Sequence, residues 1–176
     1  MKYLLLLSIL FASSAFADEF EDTLSRAEAG DADAQLMLGF MYDFGIRAPQ
    51  DYSEAVKWYR AAAEQGNAEG QSALGGKYRA GVGVPQDYSE AVKWYRAAAE
   101  KGHVHSQVTL GFLYYHGHGV LEDYIRAHMW YNIASANGND ISREHRNTLS
   151  EEMTSSQIEQ AQKMAKVCLS SDYEDC

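Results

Sequence analysis

The sequence has few cysteines, few prolines, few basic residues and no long apolar run after residue 17. Two cysteines and two prolines in 176 residues exclude a small disulfide scaffold and a collagen-like chain. With 15 basic residues against 25 acidic ones, the formal net charge is −10. This charge argues against a nucleic-acid partner, because phosphate binding needs a basic surface. The motifs GxxxxGK[ST], G-x-S-x-G and H-E-x-x-H are absent, so we expect a protein without enzyme activity and without a cofactor.

The first 17 residues, MKYLLLLSILFASSAFA, have the pattern of a secretory signal peptide. Lys2 precedes the apolar run Leu4–Phe11, and Ala15-Phe16-Ala17 is a small-x-small cleavage site. The apolar run is too short to cross a bilayer, and no later stretch is more apolar. We predict cleavage after Ala17, a bacterial protein that is periplasmic or secreted, and no membrane-spanning segment.

The two cysteines, Cys168 and Cys176, are eight positions apart near the C-terminal end of the sequence. An oxidising compartment favours a disulfide between them, which would hold the end of the chain in place. Pairing between two chains is the alternative. The spacing is not the Cys-x-x-Cys of catalytic dithiols, so a structural role is the prediction.

The sequence repeats itself with a period of 36 residues. Residues 30–65 and 66–101 are identical at 23 of 36 positions, and 66–101 and 102–137 at 14 of 36. The stretch QDYSEAVKWYRAAAE occurs unchanged at 50–64 and 86–100. A period of this length indicates an array of stacked units, each of which is too small to bury its apolar face alone.

Each unit is predicted to contain two helices. In the first unit these are helix A, at about 32–43, and helix B, at about 52–65. Asp51 is the expected N-cap of helix B, and Glu54 completes a capping-box pattern with it. The glycine-rich connection contains Pro49 and cannot continue a helix, so the pair must fold back as a hairpin. The predicted fold is an all-α solenoid of stacked helix-turn-helix units.

The repeated pattern Ala-x-x-Gln-x-x-Leu-Gly-x-x-Tyr…Gly…Asp-Tyr-x-x-Ala-x-x-Trp-Tyr-x-x-Ala-Ala resembles the Sel1-like repeat, a variant of tetratricopeptide-type solenoids. The resemblance extends over residues 30–138 and is to exported bacterial members of the family. It implies a right-handed stack of hairpins that binds protein partners or scaffolds a complex, and it implies no reaction. The predicted units are a signal peptide (1–17), an N-terminal half-repeat or capping helix (18–29), three Sel1-like repeats (30–65, 66–101, 102–137) and C-terminal capping helices (138–176).

The segment 138–176 departs from the repeat and is expected to cover the open apolar end of the stack. Asp140 is expected to cap a helix that runs to about residue 153. The residues Thr-Ser-Ser-Gln at 154–157 are a capping box for another helix over about 155–169.

The A-helix positions that change between units are candidates for partner binding, because the repeated positions serve the scaffold. In solenoids of this type the A helices line the concave surface, so we expect a groove there. It would have apolar, aromatic ends, a shallow middle at Gly76 and Ala80, and flanking residues Met41 and Leu113. Such a groove suits a peptide or a segment of a partner protein. The candidate residues are Met37, Phe40, Phe44, Thr109, Phe112 and His116. The alternative is that these apolar residues pack between neighbouring A helices.

Four histidines of the third unit offer an alternative function, a metal-binding or small-molecule-processing protein. They form two His-x-His pairs, His103 with His105 and His116 with His118. The pairs are separated by about 16 Å of helix, and two ligands are half of what a structural zinc site needs. We therefore predict no metal site. The chain is expected to be a monomer, with self-association through its N-terminal end as the alternative.

Overall fold

A computed structural model describes residues 19–174 and 176. Within this part of the chain there are helices and no strands, so the predicted all-α fold is confirmed. The predicted signal peptide and the cleavage after Ala17 lie outside the described residues. The helices are α1 (19–28), α2 (Ala32–Phe44), α3 (Tyr52–Glu64), α4 (Ala68–Ala80), α5 (Tyr88–Ala99), α6 (Val104–His116), α7 (Tyr124–Ala136), α8 (Asp140–Ser150) and α9 (Ser155–Ser170).

Side-chain caps start the second helix of each hairpin. The Asp51 carboxylate accepts from the backbone N–H groups of Ser53 and Glu54, at 2.9 and 3.1 Å. The predicted capping box is wrong, because the Glu54 side chain does not accept from the backbone N–H of Asp51. Glu54 instead pairs with Lys57 at 3.0 Å, and the backbone N–H of Asp51 donates to the carbonyl of Tyr42. The neighbouring helix thus supplies the acceptor that a capping box would provide.

For the two C-terminal helices, one predicted cap is wrong and the other is confirmed. Asn139, not Asp140, caps α8, because its side chain accepts from the backbone N–H of Ser142 at 2.8 Å. The capping box of α9 is confirmed, since Thr154 and Gln157 bond to each other's backbone N–H groups. A helix start is thus predictable to about one residue.

Glycine lets the two helices of a hairpin approach closely. A Cβ atom at Gly39 in α2 would lie 2.5 Å from the Tyr59 ring of α3, and one at Gly111 in α6 would lie 2.6 Å from the Tyr131 ring of α7. The missing side chain therefore makes room for a tyrosine of helix B against the backbone of helix A.

A buried glutamine joins each hairpin to the preceding helix. Gln71 of α4 donates to the carbonyl of Ala63 at 3.1 Å, and Gln35 and Gln107 make the equivalent bonds. Each bond satisfies a carbonyl in the last turn of a helix, where no intrahelical partner remains. The recurrence of glutamine every 36 residues is thus explained by stacking.

The largest apolar cluster joins the third hairpin to the C-terminal helices. Both α8 and α9 pack on α7, and Leu149, Ala161 and Cys168 are buried beside Trp130. Cys168 and Cys176 form a disulfide with a Cα–Cα distance of 4.7 Å. Among the described residues, no helix combines the length and the apolar character needed to cross a membrane.

Candidate protein-binding groove

Three adjoining hollows lie along the face formed by α2, α4, α6 and α8, and we call this face the A-helix groove. One hollow centres on α4, the A helix of the second repeat, and we call it the central hollow. It measures about 320 Å³ and extends from Phe40 in α2 to His105 in α6. The second, of about 240 Å³, extends from Arg79 to His145. The third, which we call the α6–α8 hollow, also measures about 240 Å³. It is lined by Phe112, Tyr115, His116, Tyr131, His145, Thr148, Leu149 and Glu152. The second hollow shares Arg79 with the central one, and it shares Phe112, Tyr131 and His145 with the third.

The middle of the groove is charged. Gly76 and Ala80 line the central hollow as expected, but Lys77 reaches across from α4 to form an ion pair with Asp43 of α2. These side chains are only 16% and 11% exposed. The hydroxyl of Tyr59 also donates to the Asp43 carboxylate, at 3.1 Å. Burial and the nearby Asp43 charge raise the pKa of Tyr59.

A second cation lies in the same hollow. Arg79 lines this hollow together with Tyr95. Burial raises the pKa of Tyr95, although Arg79 opposes the change. Burial, followed by the charge of His103, lowers the pKa of His105 at the far wall. The central hollow therefore holds two cations of the chain itself.

The six predicted groove residues are not equivalent in the structure. Phe40, Thr109, Phe112 and His116 line the hollows, whereas Met37 and Phe44 lie on the surface outside them, 52% and 64% exposed. Phe40 also packs edge-on against the Tyr59 ring, with a centroid distance of 5.5 Å. Phe40 thus contributes to core packing as well as to the groove wall. The binding role of all six residues stays a prediction.

The expected flanking residues are part of the core. Met41 is 2% exposed and Leu113 is fully buried, so the expectation that they flank a groove is wrong. Their equivalent in the second hairpin is Lys77, which explains why a lysine is drawn inward at that position.

Helix α8 contributes groove residues that the sequence analysis missed. His145, Thr148 and Glu152 follow Thr109, Phe112 and His116 by 36 positions, and all three line the α6–α8 hollow. Helix α8 thus continues the row of A helices although few of its residues match the repeat. The period itself was the signal that could have located them.

Aromatic rings form the walls of the α6–α8 hollow. The ring of His116 lies 4.3 Å from that of Phe112 and 4.8 Å from that of Tyr115, between centroids. The rings of Tyr131 and His145 are 5.3 Å apart. Burial raises the pKa of Tyr131 to about 12, so its hydroxyl is uncharged at neutral pH.

The histidines are distributed over several roles. His103 caps α6 by accepting from the backbone N–H of Ser106, and its other ring nitrogen lies 3.0 Å from the Glu69 carboxylate. The rings of His116 and His118 stack, with centroids 5.5 Å apart. In the described part of the chain, no three His, Cys, Asp or Glu residues are grouped so that they could hold a metal ion.

The stacked hairpins, the repeated scaffold residues and the row of variable A-helix side chains define a helical repeat protein. A model of the Sel1 repeat matches residues 32–67, 68–103 and 104–139. The chain belongs to the Sel1 repeat family. Sel1 repeats generally mediate protein–protein interaction and typically act as scaffolds without catalysis.

Solved structures with the same architecture include two bacterial relatives. A Sel1 repeat protein from Oxalobacter formigenes is 35% identical with a TM-score of 0.71, and the match covers 74% of this chain and 54% of that one. A protective antigen of uropathogenic Escherichia coli with an SLR fold is 28% identical with a TM-score of 0.67, over 88% of this chain and 42% of that one. This chain therefore spans about half the length of these two relatives.

A third structure supports the fold alone. The cysteine-rich protein B of Helicobacter pylori is 19% identical with a TM-score of 0.58, and the match covers 73% of this chain and 95% of that one. A comparison with curated proteins gave no significant match.

Proposed function

We propose that this chain is an interaction scaffold of the bacterial cell envelope, which binds a peptide or a segment of a partner protein along the A-helix groove. One observation carries the proposal. The A-helix positions that repeat, such as Leu38, Leu74 and Leu110, are fully buried, whereas positions that vary line adjoining hollows on one face. Variation on a surface supported by an unchanging core is what a recognition site requires.

The distribution of side chains along the groove suits an extended segment. Apolar residues are exposed towards both ends, with Met37 and Phe44 in α2 and Phe112, 41% exposed, in α6. The charged pair of Lys77 and Asp43 lies between them. Methionine and aromatic side chains give adaptable apolar contacts and often dominate binding energy. A partner segment with apolar residues flanking a polar centre would match this order.

Location in the envelope rests on the signal pattern of residues 1–17 and on the disulfide between Cys168 and Cys176. Disulfides persist in oxidising compartments. Intact-mass analysis of the protein purified from the periplasm or medium should find a chain that begins at Asp18. A cytoplasmic protein that retains Met1 to Ala17 would contradict this part of the proposal.

Affinity capture from cell-envelope extract with mild crosslinking tests the groove. The groove variant carries Thr109→Asp and Phe112→Asp, at two residues that line the hollows, whereas the control carries Leu121→Asp and Ile141→Asp. The control residues are 90% and 61% exposed and lie outside the three hollows. Wild type and control should enrich the same partner, and the groove variant should lose it while circular dichroism shows an unchanged fold. Equal capture by the folded groove variant would refute the assignment.

A further inference from the structure

The first hairpin shows how this fold binds a cation. The amine of Lys77 pairs with the Asp43 carboxylate and lies 5.1 Å from the centre of the Tyr52 ring. The Tyr59 hydroxyl donates to the same carboxylate. A carboxylate and aromatic rings together are a favourable environment for an ammonium or guanidinium group.

In the second hairpin a cation stands at the position that the Asp43 carboxylate has in the first hairpin. Arg79 follows Asp43 by 36 positions, and Tyr95 follows Tyr59 by the same interval. Arg79 and Tyr95 both line the central hollow. The first two positions in the row are therefore occupied by cations of the chain itself.

The third position has the rings and the carboxylate without the cation. Tyr115 and Tyr131 stand where Asp43 and Tyr59 stand in the first hairpin. The carboxylate comes from Glu152, which follows α8 and accepts from the Tyr115 hydroxyl at 3.1 Å. This contact, with the neighbouring charge, raises the pKa of Tyr115, which keeps its hydroxyl protonated.

No lysine or arginine of the described residues fills this third position. The α6–α8 hollow has no lysine or arginine among its described lining residues. Leu149 stands 36 positions after Leu113 and 72 after Lys77, so the residue that would supply the amine is apolar. Nor does any lysine or arginine of the described chain form a salt bridge with Glu152 within 4.0 Å. The carboxylate is thus available to a group from outside.

The size and charge of the site indicate what enters it. A volume of about 240 Å³ is below the usual range of small-molecule pockets, about 300–1,000 Å³, and suits one side chain. The ring faces of Phe112 and Tyr131 are electron-rich, and the protein has a formal net charge of −10, so both attract a cation and repel an acidic group.

We propose that the α6–α8 hollow binds a lysine or arginine side chain of the segment that docks in the A-helix groove. The cation lies against the aromatic walls and pairs with Glu152, in the way that Lys77 pairs with Asp43 within the chain. This inference rests on the proposed function, because it specifies the chemistry of the partner.

Host–guest peptides of the form Ac-Gly-Ala-Ala-X-Ala-Ala-Gly-NH2 test this proposal, with X as lysine, arginine, norleucine or glutamate. Each peptide is titrated into the isotopically labelled protein, and the ring resonances of Phe112, His116 and His145 are followed by NMR. The lysine and arginine peptides should saturate these shifts with dissociation constants of about 1–10 mM. The norleucine peptide, which has an apolar side chain without the charge, should bind about three- to fivefold more weakly.

Glu152→Gln is the informative variant, because its amide oxygen still accepts from Tyr115 while the charge is lost. Glu151→Gln is the matched control, since it removes the same charge from an exposed residue that does not line the hollow. Glu152→Gln should weaken the lysine peptide about three- to fivefold and leave the norleucine peptide unchanged. Glu151→Gln should change neither.

Equal binding of the lysine and norleucine peptides would overturn the inference, as would no ring shift with the lysine peptide or equal effects of the two glutamate variants. These results are separable from the capture experiment. Partner capture that depends on Thr109 and Phe112, with no preference for lysine, would refute this inference and retain the proposed function. Lysine binding that depends on Glu152, with no partner captured, would do the reverse.

Discussion

Replacing Gly119 with alanine should reveal how tightly the hairpins interlock. Gly119 lies in the loop between α6 and α7 with φ of 74°, and a Cβ atom there would be 2.3 Å from the backbone of Tyr88 in the preceding hairpin. The left-handed backbone alone does not require glycine, because Arg47 occupies the equivalent position of the first hairpin with φ of 62°. Close contact between two backbones is therefore what excludes a side chain at Gly119.

Gly138 is the matched control, because its φ is 91° and a Cβ atom there would meet nothing within 4 Å. A left-handed conformation costs alanine roughly 1–2 kcal/mol, and the lower entropy of the unfolded chain returns about 0.4–1 kcal/mol. Gly138→Ala should thus lower the free energy of unfolding by roughly 1 kcal/mol. Gly119→Ala adds the cost of overpacking, about 1–3 kcal/mol, because no rotamer change can move the Tyr88 backbone.

Urea denaturation followed by circular dichroism measures both variants, with the disulfide intact. The expected result is a midpoint for Gly119→Ala well below that of Gly138→Ala, with similar slopes. Free energies of unfolding that agree within about 0.5 kcal/mol, the usual effect of a neutral surface change, would refute the proposed interlock.

Three further predictions concern stability. Gly76→Ala should stabilise the protein by up to about 1 kcal/mol, because alanine has the higher helix propensity and its Cβ would lie 3.4 Å from the nearest atom, the Tyr95 hydroxyl. Gly111→Ala should destabilise the protein, because its Cβ would lie 2.6 Å from the Tyr131 ring. Equal effects of the two substitutions in thermal melts would contradict this. Burial lowers the pKa of His128. Its contribution to the free energy of unfolding is therefore fully present above about pH 6.5, and it is lost as the pH falls through the lower pKa of the folded state. His128→Val, which restores the residue of both preceding hairpins, should flatten this decline in denaturation series from pH 7.5 to 5, and an unchanged slope would count against it. Reducing the Cys168–Cys176 bond should lower the free energy of unfolding by about 2–3 kcal/mol and speed amide exchange at the end of α9; an unchanged unfolding midpoint would exclude this role.

Local signals predicted the helices because they act within one turn. Asp51 and Thr154 cap helices as predicted, since a short polar side chain next to free backbone N–H groups has few other partners. Glu54 did not complete its capping box, because the carbonyl of Tyr42 on the neighbouring helix already accepts from the N–H of Asp51. Contacts between helices thus decided details that local patterns left open.

The candidate site was less predictable, because its residues come from helices far apart in the sequence. Phe112 and His116 were found from their spacing in one helix, but Tyr131 reaches the same hollow from α7 and Glu152 from the turn after α8. The expected apolar groove has a charged middle because Lys77 turns inward to Asp43, which no spacing within α4 indicates.

By itself, the sequence determined the repeated hairpin and the caps at Asp51 and Thr154, because these depend on residues at a constant interval or on forces that act within one turn. Only the tertiary structure decided which variable side chains share a hollow, and which charges are already paired inside the chain. The physical reason is that Coulomb attraction and ring contact depend on distances between helices. Those distances place Lys77 beside Asp43 and Glu152 beside Tyr115, in a hollow that no lysine or arginine of the described residues lines.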